Sequence, residues 1–151
     1  MAIKQFVTFG INHFLLGIDI LVVREINKVL DITPVQRAPN YVYGLVNLRG
    51  QIITVFDLGV RLGLGPRKIT PQSHNVFLKN ELISLLVDSI GDVVQVNEAD
   101  VELAPAHLGG VEKRYISGVV KLKQELLIIL SGPKILEYYK KDRGKNGDCI
   151  G

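Results

Sequence analysis

Short apolar runs in which hydrophobic and polar positions alternate follow one another along this chain, and turn-forming residues separate them. A period of two is that of half-buried strands. Gln5–Phe9 and Phe14–Ile20 flank Gly10-Ile11-Asn12-His13, which reads as a hairpin connection. Val22–Ile26 continues the second strand or opens another. Asp31–Pro39 contains Pro34 and Pro39, which lack ladder donors, so it is an edge or a loop. Three more hairpins follow: Val42–Leu48 with Ile52–Phe56 around Arg49-Gly50, Val76–Leu78 with Leu82–Val87 around Lys79-Asn80-Glu81, and Ile116–Leu122 with Leu126–Leu130 around Lys123-Gln124-Glu125. Helical patterning is confined to two pieces. Leu58–Leu62 is stopped by Gly63, Gly65 and Pro66. The second piece opens on Ser131 as N-cap with Pro133 in its first turn, carries Ile135, Leu136 and Tyr139 on one side, and ends near Lys141.

One of these hairpins occurs twice. Tyr41, Gly44 and Leu48 each lie 74 positions before Tyr115, Gly118 and Leu122, within stretches that keep the same apolar pattern. What changes between the copies is polar: Asn47, Arg49, Gly50 and Asp57 become Lys121, Lys123, Gln124 and Ser131. The shared pattern argues for a unit used twice, and the unshared residues are candidates for function. Many short strands with regular turns predict an all-β fold of two small barrels, one around residues 14–66 and the other around 72–130, with the chain ends crossing between them. Barrels of this size close on few side chains, so a shared apolar interface is expected to make them one cooperative unit.

Composition narrows the function. The chain has 151 residues, 47% of them apolar, enough for a globular domain. Its net charge is +3, and Lys140, Lys141, Arg143 and Lys145 against Asp142 and Asp148 put +2 of that in the last dozen residues, which read as a disordered tail over 142–151. A nearly neutral body carries no basic stripe for nucleic acid. The longest apolar run, Phe14–Val23, is interrupted by Asp19 and is well short of the ~20 residues of a bilayer span. With no secretory pattern and only Cys149, the expected compartment is the cytoplasm.

Catalytic patterns are missing. His13, His74 and His107 stand alone, without a second ligand at metal spacing, and read as surface or turn residues. Gly63-Leu64-Gly65 precedes Pro66 and is a turn, not a phosphate loop. No serine sits in a nucleophile elbow, and Asp19, Glu25, Asp57, Asp88 and Asp92 are scattered. No metal, cofactor or enzymatic activity is expected. Arg49 has two readings: a solvated turn residue, or a guanidinium fork held between strands, aimed by Asn47 and Gly50, that binds a carboxylate or carbonyls of a partner.

Gly17-Ile18-Asp19-Ile20, Val23, Glu25-Ile26, Ile32-Thr33-Pro34, Pro39, Gly44-Leu45-Val46-Asn47-Leu48-Arg49-Gly50, Ile52-Ile53, Asp57-Leu58, Leu86-Val87-Asp88 and Val93, with the closing hairpin and helix, resemble the CheW-type chemotaxis coupling (adaptor) proteins. The resemblance runs from Gln5 to about Tyr139, within a single domain over 1–141. It implies two five-stranded SH3-like barrels and a non-enzymatic scaffold, a monomer in isolation. Its implied partners are the CheW-like regulatory domain of a chemotaxis histidine kinase and the cytoplasmic hairpin tip of a chemoreceptor, in arrays at the inner face of the membrane.

Carried over residue by residue, the resemblance gives a kinase-facing surface of Val7, Ile20 and Val23. Its receptor-facing surface, in the groove between barrels, is Glu25, Gly44, Asn47, Arg49, Val76 and Val93. Two departures stand out. Thr54 replaces a common proline and is tolerable in a strand, whereas Gly59 stands where an arginine is common and is expected to remove a surface charge contact. The alternatives are a CheW-like adaptor for gliding or pilus motility or another kinase pathway, a barrel binding nucleic acid through Phe6, Phe9, Tyr41 and Tyr43, and a small enzyme with an unfamiliar site.

Overall fold

The structure, a computed structural model, describes residues 2–29, 31–106, 108–137 and 139. The first hairpin is β1 (Ile3–Ile11) and β2 (Phe14–Asp19), turned at Asn12, which takes a left-handed φ of 54°. A 3-10 turn at Ile20–Val22 ends β2, capped by the Asp19 carboxylate accepting from the Leu21 N–H. Ile20, expected as the last residue of the Phe14–Ile20 strand, therefore lies in the turn instead. The chain continues as β3 (Val23–Lys28), β4 (Val42–Leu48), β5 (Gln51–Asp57), helix α1 (Leu58–Leu62), β6 (His74–Leu78), β7 (Ile83–Val87), β8 (Ser89–Asn97), β9 (Ile116–Lys121) and β10 (Leu126–Leu130). A second helix, α2, covers residues 132–137 and 139. The expected tail over 142–151 lies outside the described residues.

Ten strands make two five-stranded sheets, ordered β3-β6-β7-β5-β4 and β8-β1-β2-β10-β9. Each has one parallel pair, β5 with β7 in the first and β10 with β2 in the second. Isolated bridges close both into barrels: Thr33, beyond β3, pairs with Leu45 on β4, and Glu102, beyond β8, pairs with Val119 on β9. The division differs from the one expected at 14–66 and 72–130. Residues 23–87 build the first barrel, and the N-terminal hairpin lies in the middle of the second, with β1 against β8 and β2 against β10. The physical reason is strand supply, since β8, β9 and β10 complete a five-stranded sheet only by taking β1 and β2 from the other end of the chain.

The repeat is real in three dimensions. Val42 pairs with Phe56, Gly44 with Val55 and Leu45 with Thr54, and 74 residues later Ile116 pairs with Leu130, Gly118 with Ile129 and Val119 with Ile128. The register shift falls at the same place in both copies. Asp57 N–H donates to Tyr41 O at 2.7 Å, and Ser131 N–H donates to Tyr115 O at 2.9 Å. The two helices are capped alike: Asp57 Oδ1 accepts from Val60 N–H at 3.1 Å, and Ser131 Oγ accepts from Lys134 N–H at 3.3 Å. Gly44 and Gly118 are matched as well, because each lets the closing segment approach. A Cβ on Gly44 would strike the Thr33 carbonyl, and one on Gly118 would lie 3.0 Å from the Glu102 carbonyl.

Three apolar clusters hold this arrangement. Val46, Leu48, Ile53, Val55, Phe77 and Leu86 fill the first barrel, and Phe6, Val96, Val120, Leu127 and Ile129 fill the second. The largest cluster lies between them, where Phe9 and Ile18 of the second sheet meet Phe56 and Leu85 of the first and Leu62 of α1, joined by Ile135 and Leu136 of α2. Each fully buried large side chain contributes roughly 1.5–3 kcal/mol relative to exposure. In this interface Arg61 stacks its guanidinium over Tyr41 at 4.1 Å and near Tyr115 at 5.3 Å, the two tyrosines of the repeat. Its Nε donates to Ile135 O at 2.8 Å, so α1 is tied to α2 by a cation held on aromatic faces.

Candidate functional site

In the first copy of the repeated hairpin, Arg49 and Gly50 form the two-residue turn between β4 and β5, with φ of 52° and 84°. Two positive φ values make the turn whose twist suits antiparallel strands, and asparagine or glycine normally occupies its first place. An arginine there needs support. Asn47 supplies it, its side-chain oxygen accepting from the Gly50 N–H at 2.9 Å. In the second copy Lys123 and Gln124 are not at positive φ, so the two turns differ in hand although their strands share one register.

Held this way, the Arg49 fork meets Glu25 on the edge strand β3. Nη1 donates to Oε1 and Nη2 to Oε2, the latter at 2.9 Å. Asn27 Nδ2 donates to the same carboxylate at 2.9 Å, and Arg24 Nε stands 3.7 Å away. Arg24 also donates to Gln51 Oε1 at 3.1 Å, so polar side chains join β3 to the β4–β5 turn across the barrel seam. The Arg49 hydrogen bond, then that of Asn27, holds the Glu25 carboxyl below the usual carboxylate range, and Glu25 in turn raises Arg49. The Arg49 side chain remains 64% exposed and that of Glu25 20%. This is a surface cation with one planar partner on its own chain and a wide open side.

The expected site residues fall into distinct places. Glu25, Asn47 and Arg49 are brought together at this seam. Gly44 is buried on β4 beneath the Ile32–Thr33 segment. Val76 is fully buried, and Val7 and Val23 also belong to the interface core, so none of the three presents a free side chain. β1 from Phe6 onward and β6 are covered on both faces, one by a barrel interior and the other by the interface, and β3 buries Val23 on its interface side. Val93 is half-exposed, but on β8 of the other sheet. Ile20 is half-buried and borders a surface depression of about 390 Å³ with Ile3, Lys4, Asp19, Leu21 and Gln95. Leu21 is 72% exposed and Ile3 65%. Sequence reading passed over this apolar pair, although Leu21 follows the Asp19 cap, where a turn throws the side chain outward.

Two buried arginines were also missed. Besides Arg61, Arg67 is almost wholly enclosed and pairs with Asp88. Gly59 is corrected by it: the residue is buried rather than on the surface, and a Cβ there would run into the Arg67 guanidinium. Thr54 sits in β5 between Leu45 and Ile83, its hydroxyl 3.5 Å from that of Tyr139. His13 lies against Phe14 and His74 Nδ1 against Gln72 O, while His107 falls outside the described residues. Among the described residues no His, Cys, Asp or Glu side chains cluster as a metal site, and no helix is long and apolar enough to cross a membrane.

A family model described as the CheW-like domain matches residues 5–140. The chain belongs to the CheW-like family. It is 36% identical over 139 residues to the chemotaxis protein CheW of Treponema pallidum, covering 87% of this chain and 81% of that one. It is 25% identical over 139 residues to the protein FrzA of Myxococcus xanthus, at 89% and 86% coverage. Among solved structures, the scaffolding protein TtCheW from Thermoanaerobacter tengcongensis superimposes with a TM-score of 0.81 at 29% identity, over 91% of this chain and 90% of that one. The two-barrel architecture is thus the CheW-like fold, and the chain is a chemotaxis coupling scaffold.

Proposed function

We propose that this CheW-like scaffold joins a chemotaxis histidine kinase to chemoreceptor tips through two separate faces. The observation that carries the receptor side is the Glu25–Arg49 pair. A bidentate guanidinium on a fixed turn, with most of its surface open, is a ready donor to a carboxylate or carbonyls at the end of a helical hairpin. A partner group that displaces Glu25 leaves that carboxylate with Asn27 and Arg24, so the exchange strands no charge. Asn47 holds the turn, Gly44 the loop behind it, and Val76 the strand beneath; Val93 would belong to a more distant part of the footprint.

The kinase side falls to the depression at Ile20, Leu21 and Ile3, with Val7 and Val23 supporting it from the core. An apolar patch rimmed by Lys4, Asp19 and Gln95 suits a barrel-to-barrel contact with the CheW-like regulatory domain of the kinase. No turnover is involved. Receptor state biases kinase state because both ligands bind one body with affinities that differ between those states. The array then lies at the inner face of the membrane, with attachment only through the receptor.

Pull-down of the purified chain with a kinase regulatory domain and with a receptor fragment tests this reading. Arg49→Glu is expected to lose the receptor fragment and keep the kinase domain, and Leu21→Glu to do the reverse, both remaining folded. Retention of both partners by both variants would refute the two faces. The likeness to FrzA favours a second reading, an adaptor for another motility pathway. Binding of a different pathway's receptor and kinase pair, with the chemotaxis pair refused, would select it.

A further inference from the structure

The chain passes between its barrels at two places, the Ile20–Val22 turn and Asp88, the single residue between β7 and β8. A buried cation stands at the second. The Arg67 side chain is 6% exposed. Its Nη1 donates to Asp88 Oδ2 at 2.7 Å and to Asn12 Oδ1 at 3.1 Å, and its Nη2 donates to Gly65 O at 3.2 Å. Its backbone N–H donates to Asp57 Oδ2 at 2.7 Å, and its Nε lies 3.9 Å from Asp57 Oδ1. Asn12 N–H donates to the same Asp88 oxygen at 2.8 Å, and Asp88 N–H to Gly10 O at 3.0 Å. Asp57 ends β5 of the first barrel, Asn12 turns the hairpin of the second, and Asp88 is the crossing itself. One guanidinium therefore grips both barrels and the link between them.

The space for this grip is kept open by Gly59. A Cβ there would collide with Arg67 Nε and the Gly65 carbonyl, and would lie 2.8 Å from Arg67 Cζ. The apolar interface alone does not set an angle, because hydrophobic contact is non-directional and packed surfaces shear past one another in small steps. A guanidinium fork has fixed donor directions, and its loss removes at once the side-chain donors to Asp88, Asn12 and Gly65. We propose that Arg67 is a positioning residue that fixes the angle between the two barrels, and with it the relative placement of the two docking faces. The second half of that statement rests on the two-face reading above; the first does not.

The test uses the full chain with Cys149→Ser and spin labels at Lys28→Cys on β3 and Lys121→Cys on β9, one exposed position per barrel and neither in a proposed docking face. Wild-type Arg67 is expected to give one narrow label-to-label distance distribution. Arg67→Gln should broaden or displace it. Arg67→Lys, which keeps the charge without the fork, should recover thermal stability more than the narrow distribution. In the same protein, binary dissociation constants for a kinase regulatory domain and a receptor fragment should stay within about threefold, while the effect of one partner on the affinity for the other falls from the roughly 5–150-fold range of coupled sites towards unity. Should Arg67→Gln not fold, Asp88→Asn, whose wild-type side chain is one-third exposed, carries the same comparison. A distribution that superimposes on wild type in the folded variant overturns the proposal. A wild-type chain that binds neither partner overturns the two-face reading instead, and the distances still decide the role of Arg67.

Discussion

Substituting alanine for Gly44 tests whether the closing bridge is set by close approach. The added Cβ would meet the Thr33 carbonyl and Ile32 Cγ2, with Thr33 C at 3.1 Å. The chain has two ways out. If the loop stays, the site is overpacked against backbone, at about 1–3 kcal/mol. If it moves away, the mutual hydrogen bonds between Thr33 and Leu45, both 2.8 Å, are lost at about 1 kcal/mol each. The first route centres on, and the second sums to, about 2 kcal/mol. For Gly118→Ala the nearest obstacle is a Val101 methyl at 2.6 Å, with the Glu102 carbonyl at 3.0 Å, so a side-chain rotation relieves part of the strain and about 1–2 kcal/mol is expected. Urea unfolding at constant m value measures both, and with m near ~2 kcal/mol/M the Gly44 midpoint should fall by about 1 M or more. A Gly44 variant within about 0.5 kcal/mol of wild type, a typical surface effect, would refute the argument. So would a larger loss at Gly118.

Two further outcomes are expected. Glu25, depressed by Arg49 and Asn27, should titrate below the ordinary carboxylate range in carbon-detected NMR, and Arg49→Gln should bring it back up; because the folded value is the lower one, its stabilising effect is complete above the unfolded pKa of about 4.3 and disappears as pH falls through the folded pKa. An unmoved Glu25 in the variant would contradict the assignment. Phe56→Ala, in the cluster between the barrels, should cost about 3–5 kcal/mol and still give coincident unfolding transitions by fluorescence and circular dichroism, whereas two separated transitions would show that the barrels fold independently.

The hairpins were legible because each couples alternating residues to a turn signal within a few positions. The doubled unit was legible because both copies keep one register, so Tyr41, Gly44 and Leu48 recur at a fixed spacing. The barrel partition was not, since β1 pairs with β8 across most of the chain and such a pairing leaves no local mark. Val7 and Val76 came from the resemblance, and local pattern could not show that both pack between the barrels, where β6 is buried at four positions and β7 at all. Of the site, Arg49 with Asn47 and Gly50 was readable from the turn, but its pairing with Glu25 required knowing that β3 and β4 meet at the seam. Arg67 and Arg61 look like surface residues in sequence. Only the fold shows that they are enclosed.

The placement of the N-terminal hairpin has a consequence for how the protein is made. Synthesis delivers β1 and β2 ahead of the first barrel, yet β8 and β10, which flank them, arrive only after all of it. Residues 23–87 hold every strand of the first barrel and can close while the rest is still being translated. Through that interval the hairpin carries two open edges lined by Phe6, Phe9, Leu16 and Ile18, a template for pairing with another nascent chain. Growing polypeptides held before residue 126 would lack β10, so stalled or truncated products should be far more prone to aggregate than the finished molecule.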